Sequence, residues 1–226
     1  MSAQPSAAVP GRPYPPPAAP EPLWPVLASV LATIALQLTL PERITVGPFW
    51  LLPGLEGALV LGLAVASPPR LEEEHPRRKR WAVAMIALVS AANIYALAAL
   101  SKHLLHHHVQ NGHSLILAGV VIWLTNVMIF ALWYWEIDRG GPGVRAAGHD
   151  QPPDFLYPQM TDDRIEPIAW RPHFIDYLYV SLTNATAFSP TDTMPLTPTA
   201  KSIMGVQSLV SLVTLGLIVS RAVNIL

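Results

Sequence analysis

The stretch from Asp176 to Ala200, DYLYVSLTNATAFSPTDTMPLTPTA, has about the length of a membrane span, yet its second half cannot be one. Pro190, Pro195 and Pro198 each lack the backbone donor that a continuing helix needs. Ser181, Thr183, Asn184, Thr186, Ser189, Thr191 and Asp192 would strand polar groups in hydrocarbon. A short helix that enters the bilayer, turns and leaves satisfies both constraints. Irregular backbone at membrane depth persists only where protein or a water-filled cavity lines it, so the stretch predicts a pore or a buried site.

A re-entrant segment needs a membrane protein around it, and the composition is of that kind. Of 226 residues 51% are hydrophobic and 13% charged, with a mean hydropathy of +0.36. Residues 1–22, rich in Pro, Ala and Ser, have little to bury and are expected to form a disordered tail without a cleavable signal. Leu23–Leu40, with Trp24 as interfacial anchor, and Gly47–Ser67 are the first two expected spans. Ala82–Leu100 is the third, and Ser114–Tyr134 the fourth. The fourth ends in WYWEID, an aromatic belt followed by acids at the water boundary. The last helix is expected from about Pro198 to Ile225, after a Gly- and Pro-punctuated polar loop over 138–172. The predicted fold is an all-α integral membrane protein of about five transmembrane helices, with a re-entrant helix and loop before the last one. Residues 23–113 hold the N-terminal transmembrane helices.

Polar residues in or beside the spans carry the candidate chemistry. Glu56 lies inside the second span, where an acid is functional by default, but Pro53 and Gly54 start its helix late and favour an interfacial acid. His103, His106 and His107 share one helical face, with His108 and His113 nearby, and His103 and His107 have the i, i+4 spacing of a metal pair. No carboxylate or cysteine accompanies them, so a solvated helix end is expected, and no metal or cofactor is assigned. Asn126, mid-way along the fourth span, is expected to be hydrogen-bonding glue between helices. In the last helix Gln207, Ser211 and Thr214 fall on one stripe, which either lines an aqueous pore or bonds to neighbouring helices. Thr197 or Thr199 is the expected cap of that helix. Asp162 and Asp163 are adjacent, point apart in regular structure and have no nucleophile or phosphate loop near them, which argues against an enzyme. The net charge of −1 argues against nucleic acid as a partner, and the absence of cysteine excludes disulfides and thiolate metal sites.

The segment YVSLTNATAFSPTDTMPLT resembles the pore loop of the potassium-channel superfamily. Those proteins carry an aromatic and a serine at the start of a pore helix, a Thr-rich end, a glycine-containing filter, then an Asp followed three residues later by Pro. Tyr179, Ser181, Thr186, Asp192, Pro195 and Thr197 stand in the matching places without gaps, and an apolar helix follows at once. The filter departs from the pattern. Ala187, Phe188, Ser189, Pro190 and Thr191 replace Thr-Val-Gly-Tyr-Gly, so the glycines that aim successive carbonyls at an ion are missing, and a potassium filter of the usual geometry is not expected. The resemblance covers about the last half of the chain. It implies a pore-like domain over 114–226: outer helix, long polar loop, pore helix, filter-like loop and inner helix. The site it implies is Thr186, Ala187, Phe188, Ser189, Pro190, Thr191 and Asp192 in the pore loop, with Gln207, Ser211 and Thr214 as candidate pore-lining residues.

One pore helix and one lining helix cannot enclose a channel, so the resemblance implies a homotetramer in a lipid bilayer, expected in a prokaryotic plasma membrane. The expected function is passage of small inorganic ions through a constriction that is not of the potassium type. Cations are favoured because Asp192 flanks it. The alternative is a non-conducting interaction or structural protein that keeps the pore-domain fold, with Phe188 and Pro190 plugging the axis. A third possibility is a transporter using Glu56 and the histidines. Orientation is in conflict: the resemblance puts the re-entrant loop outside, and counting back puts Arg77–Arg80 outside too, against the positive-inside rule. Either Phe174–Phe188 spans after all, or the pore is inverted, or an N-terminal segment does not cross.

Overall fold

The computed structural model describes residues 24–39, 54, 57, 76–106, 112–146, 151–161, 170–187 and 192–223. The elements are α1 (Trp24–Leu38), α2 (Pro76–His106), α3 (Gly112–Ile137), α4 (Pro142–Ala146), α5 (Phe174–Ala187) and α6 (Pro198–Val223). Two short strands, β1 (Phe155–Leu156) and β2 (Met194–Pro195), pair antiparallel. The expected second span other than Gly54 and Gly57, Glu56 included, the N-terminal tail, His107 and His108, and Asp162 and Asp163 lie outside the described residues. So do the side chains of His103, His106 and His113.

Among the described residues three stretches are long and apolar enough to cross a membrane: Lys79–Lys102, Leu115–Gly140 and Pro198–Ser220. Their burial is uneven, and this sets the architecture. The apolar window of α3 is 67% buried inside the chain against 33% for α2 and 22% for α6, so α3 is the post around which α1, α2, α5 and α6 pack. The core beside it joins Val26 and Val30 of α1 to Phe130, Tyr134 and Trp135 of α3 and to Tyr177 and Val180 of α5.

The ends of α3 and α5 follow from local chemistry. At the end of α3, Arg139 turns into the left-handed region (φ 51°, ψ 34°), and Gly140 and Gly141 continue with φ of 83° and 107°. A Cβ on Gly141 would sit 3.0 Å from the Glu136 carbonyl oxygen, so the turn needs glycine there. The freed carbonyls of Trp135 and Asp138 accept from Arg145 Nη1 at 2.8 and 2.7 Å, a buried cation on a helix C-terminus. Helix α5 starts with Asp176 accepting from the His173 amide at 2.7 Å, half of a capping box.

Helix α6 starts with Thr197 as cap and Pro198 in the first turn: the Thr197 hydroxyl accepts from the Ala200 amide at 3.2 Å. Thr197, rather than Thr199, is therefore the cap. The aromatic belt is a correction. Tyr134, Trp135 and Glu136 are buried rather than spread along a water boundary, because Phe155 of β1 lies against the ring of Tyr134 and Phe174 of α5 against that of Trp135.

Hydrogen bonds give each helix a direction. Helix α2 runs antiparallel to α3, since Lys79 Nζ donates to the Gly140 carbonyl at 2.7 Å and Trp133 Nε1 to Ser90 Oγ at 2.9 Å. Helix α6 also runs antiparallel to α3, with Asn126 beside Ser211 and Gly119 beside Ile218. Helix α5 begins at the Gly140 end, where the Tyr177 hydroxyl donates to Asp138 Oδ2 at 2.7 Å. After α5 the chain is back at that same end. There β2 pairs with β1, and the Leu196 amide donates to the Asp154 carbonyl at 2.8 Å. The segment from Phe174 to Thr197 thus leaves and returns at one end of the helix bundle.

Candidate pore-loop site

Helix α5 has 14 residues, about 21 Å at 1.5 Å per residue, which is too short for a hydrocarbon core of about 30 Å. Its inner face is polar, and the partners come from α3 and α6. Gln207 is the hub. Its Oε1 accepts from the Tyr134 hydroxyl and from Asn184 Nδ2 (2.8 Å), and its Nε2 donates to Ser181 Oγ (2.7 Å) and the Ser181 carbonyl (3.0 Å). Both donors and both acceptor positions of the amide are used. Asn184 Nδ2 also donates to the Met204 carbonyl at 3.0 Å, and its Oδ1 accepts from Ser208 at 3.1 Å. Ser181 Oγ passes its own proton to the Val127 carbonyl at 2.6 Å, stitching α5 to α3.

Lower on the same helices Asn126 Nδ2 donates to Ser211 Oγ at 2.9 Å, so Asn126 is the interhelical glue expected of it. Thr214 returns its hydroxyl to the Val210 carbonyl at 2.7 Å. The pore-lining expectation needs correction here. Gln207, Ser211 and Thr214 are each 0% exposed, whereas Leu209 and Val213 on the other side of α6 are 65% and 49% exposed. The polar stripe faces the chain's own α3 and α5. Polar side chains in a helix bundle satisfy one another where they can, and here α5 supplies Ser181 and Asn184 at the right height.

A second cluster clamps both ends of the segment from Phe174 to Thr197. Asp138, fully buried, accepts from Tyr177 and from the Asp154 amide (2.9 Å). The Asp154 carboxylate in turn accepts from the Arg139 amide (3.0 Å) and from the Thr197 hydroxyl. The Arg145 guanidinium lies over the rings of Trp135 and Tyr177, 5.9 and 5.4 Å from their centroids. One chain of contacts therefore runs from the end of α3 to the start of α5 and to the cap of α6. Tyr157, packed edge-on against Tyr177, has its phenol pushed well above the usual 10. Burial is the main cause, and the charges of Asp138 and Asp176 add to it.

Of the pore-loop residues, Thr186 is exposed on α5 and bonds back to the Leu182 (2.9 Å) and Thr183 (3.2 Å) carbonyls. Ala187 ends the helix. Phe188, Ser189, Pro190 and Thr191 lie outside the described residues. Asp192 is exposed just before β2, and its carboxylate has no partner among the described residues. Sequence reasoning missed Tyr134, Asn184, Asp138 and Asp154. The signal that pointed to them was their polarity beside apolar helices, which did not name partners 15 to 73 positions away. No group of three metal-binding side chains occurs among the described residues. Comparison with protein-family models, with curated proteins and with solved structures gives no match.

Proposed function

We propose that this chain is one subunit of an oligomeric, channel-like membrane protein of about five spans, in which the re-entrant segment forms a constriction for small inorganic ions. The observation that carries this reading is the return of the chain from Phe174 to Thr197 to one end of the bundle, with both ends clamped through Asp138 and Asp154. A half-length helix whose inner face is satisfied by α3 and α6 leaves its tip and the following acid for an aqueous space. Four copies around an axis would enclose that space, since one chain has a single such segment. The apolar exposed side of α6, with Leu209 and Val213, then faces the axis or a neighbouring copy. Cations are favoured over anions because the Asp192 copies would form a ring of carboxylates at the mouth. Lipid is the surrounding partner, in a plasma membrane of prokaryotic type.

The second reading is a non-conducting protein with the same fold, and one observation favours it: the polar stripe of α6 is spent inside the chain. Flux in liposomes separates the two. Conduction without strong preference for potassium over sodium is expected, because Pro190 and the missing glycines deny a row of evenly spaced carbonyls. In Asp192→Asn, cation flux should fall most at low salt, where a carboxylate ring is least screened. No flux of any ion from a well-folded oligomer would establish the second reading.

A further inference from the structure

The geometry points to an inverted pore loop: the end of the bundle at which the re-entrant segment leaves and returns, with Asp192, faces the cytoplasm, and the carboxyl end of α6 faces outward. The argument starts from which residues share an end. Lys79 bonds to Gly140, so the basic start of α2 lies beside the end of α3. Tyr177 and Thr197 bond into the Asp138–Asp154 pair, so both ends of the re-entrant segment lie there as well. The juxtaposition does not depend on how many segments precede α2, because it is made by direct contacts and not by counting spans.

The basic residues are then unevenly divided. The described Lys and Arg residues are ten. Arg77, Arg78, Lys79, Arg80, Arg139, Arg145, Arg171 and Lys201 belong to the clamp end, whereas Lys102 and Arg221 belong to the far ends of α2 and α6. Lys and Arg close to span ends hold their side in the cytoplasm, and acids count for little in this rule, so Asp138, Asp154 and Asp192 do not offset the eight. Trp81, directly after Arg80 and 66% exposed, sits where an aromatic anchor meets the headgroups of that leaflet. Anionic lipid of the inner leaflet is the chemistry that fits exposed Lys79, Arg80 and Lys201 around such a mouth. The potassium-channel superfamily, which this loop resembles, would place it outside. Here the contact of Lys79 with Gly140 ties the loop to the basic end and reverses the expectation.

The proposal takes from the proposed function only the identification of Asp192 as the acid of the mouth, and its test needs no conduction. The chain has no cysteine, so single cysteines at exposed Gln151, Lys201 and Lys102 are the sole reactive thiols. Intact cells and inside-out vesicles are treated with a membrane-impermeant maleimide, with permeabilised membranes giving full labelling. Gln151→Cys and Lys201→Cys should label at least tenfold more in inside-out vesicles, and Lys102→Cys at least tenfold more in intact cells. In parallel, a reporter enzyme that matures only outside the cytoplasm, fused after Leu226 of the unmutated chain, should be active. The reverse pattern, labelling from both sides, or an inactive reporter beside an active cytoplasmic one would overturn the inversion. Inverted labelling without ion flux would leave the orientation standing and remove the channel reading alone.

Discussion

Three buried tyrosines look alike in composition and differ in what their hydroxyls do. Tyr134 donates to Gln207 and Tyr177 to Asp138, while the Tyr157 hydroxyl has no hydrogen-bond partner among the described residues. A buried polar group without a partner costs about 1–3 kcal/mol, whereas removing one that is bonded orphans its neighbour. Tyr157→Phe should therefore leave stability unchanged or raise it by up to about 1 kcal/mol, and Tyr177→Phe should lower it by about 1–2 kcal/mol. Thermal unfolding in detergent compares them directly. The pH dependence has a definite sign. The folded phenol of Tyr157 is held above its unfolded value, so its contribution is complete below about pH 10. Above that, the unfolded chain releases a proton that the folded one keeps, and stability drops by about 1.4 kcal/mol per pH unit. Tyr157→Phe should flatten that alkaline limb; an unchanged slope would mean that another group causes it.

Between helices, α3 and α6 come close together at Gly119. A Cβ added to Gly119 would lie 2.6 Å from Ile218 Cγ1, on a β-branched side chain with little freedom to swing away. In an isolated helix Gly→Ala gains about 1 kcal/mol. Overpacking costs about 1–3 kcal/mol, so Gly119→Ala should destabilise on balance. Ile218→Ala should relieve the clash, and the double variant should be more stable than the sum of the single effects by about 1 kcal/mol. Strict additivity in a double-mutant cycle would show that the helices do not meet there. The legible part at this level was local: Thr197 and Pro198 announce the start of α6, and Gly140 and Gly141 interrupt regular structure after α3. The rotation of α6 was not legible. Gln207, Ser211 and Thr214 form a stripe at helical spacing whether the stripe meets water or another helix, and the choice falls to Ser181 and Asn184 on α5 and Asn126 on α3.

For the protein as a whole, the same rotation determines which surface a second copy would meet in the proposed oligomer. With the polar stripe inside, Leu209 and Val213 project from the chain. Cysteines at Leu209 or Val213 should cross-link between copies under mild oxidation, giving dimers on a denaturing gel, while a cysteine at Ser211 should not. Cross-linking at Ser211 alone would mean that α6 turns its other side to its neighbours.

Apolar runs of membrane length and the prolines after α5 were enough to call for several long helices and one half-length helix that turns back, because both follow from backbone donors that hydrocarbon leaves no other way to satisfy. Asn126 could be assigned to interhelical bonding for the same reason. The buried hub at Gln207, the Asp138–Asp154 clamp, the inward turn of Tyr134 and Trp135, and the end of the bundle to which the chain returns after α5 emerged only with the helices packed. Each depends on contacts between residues far apart in the chain. A polar side chain carries the same local signature whichever partner it finds, and packing alone selects that partner.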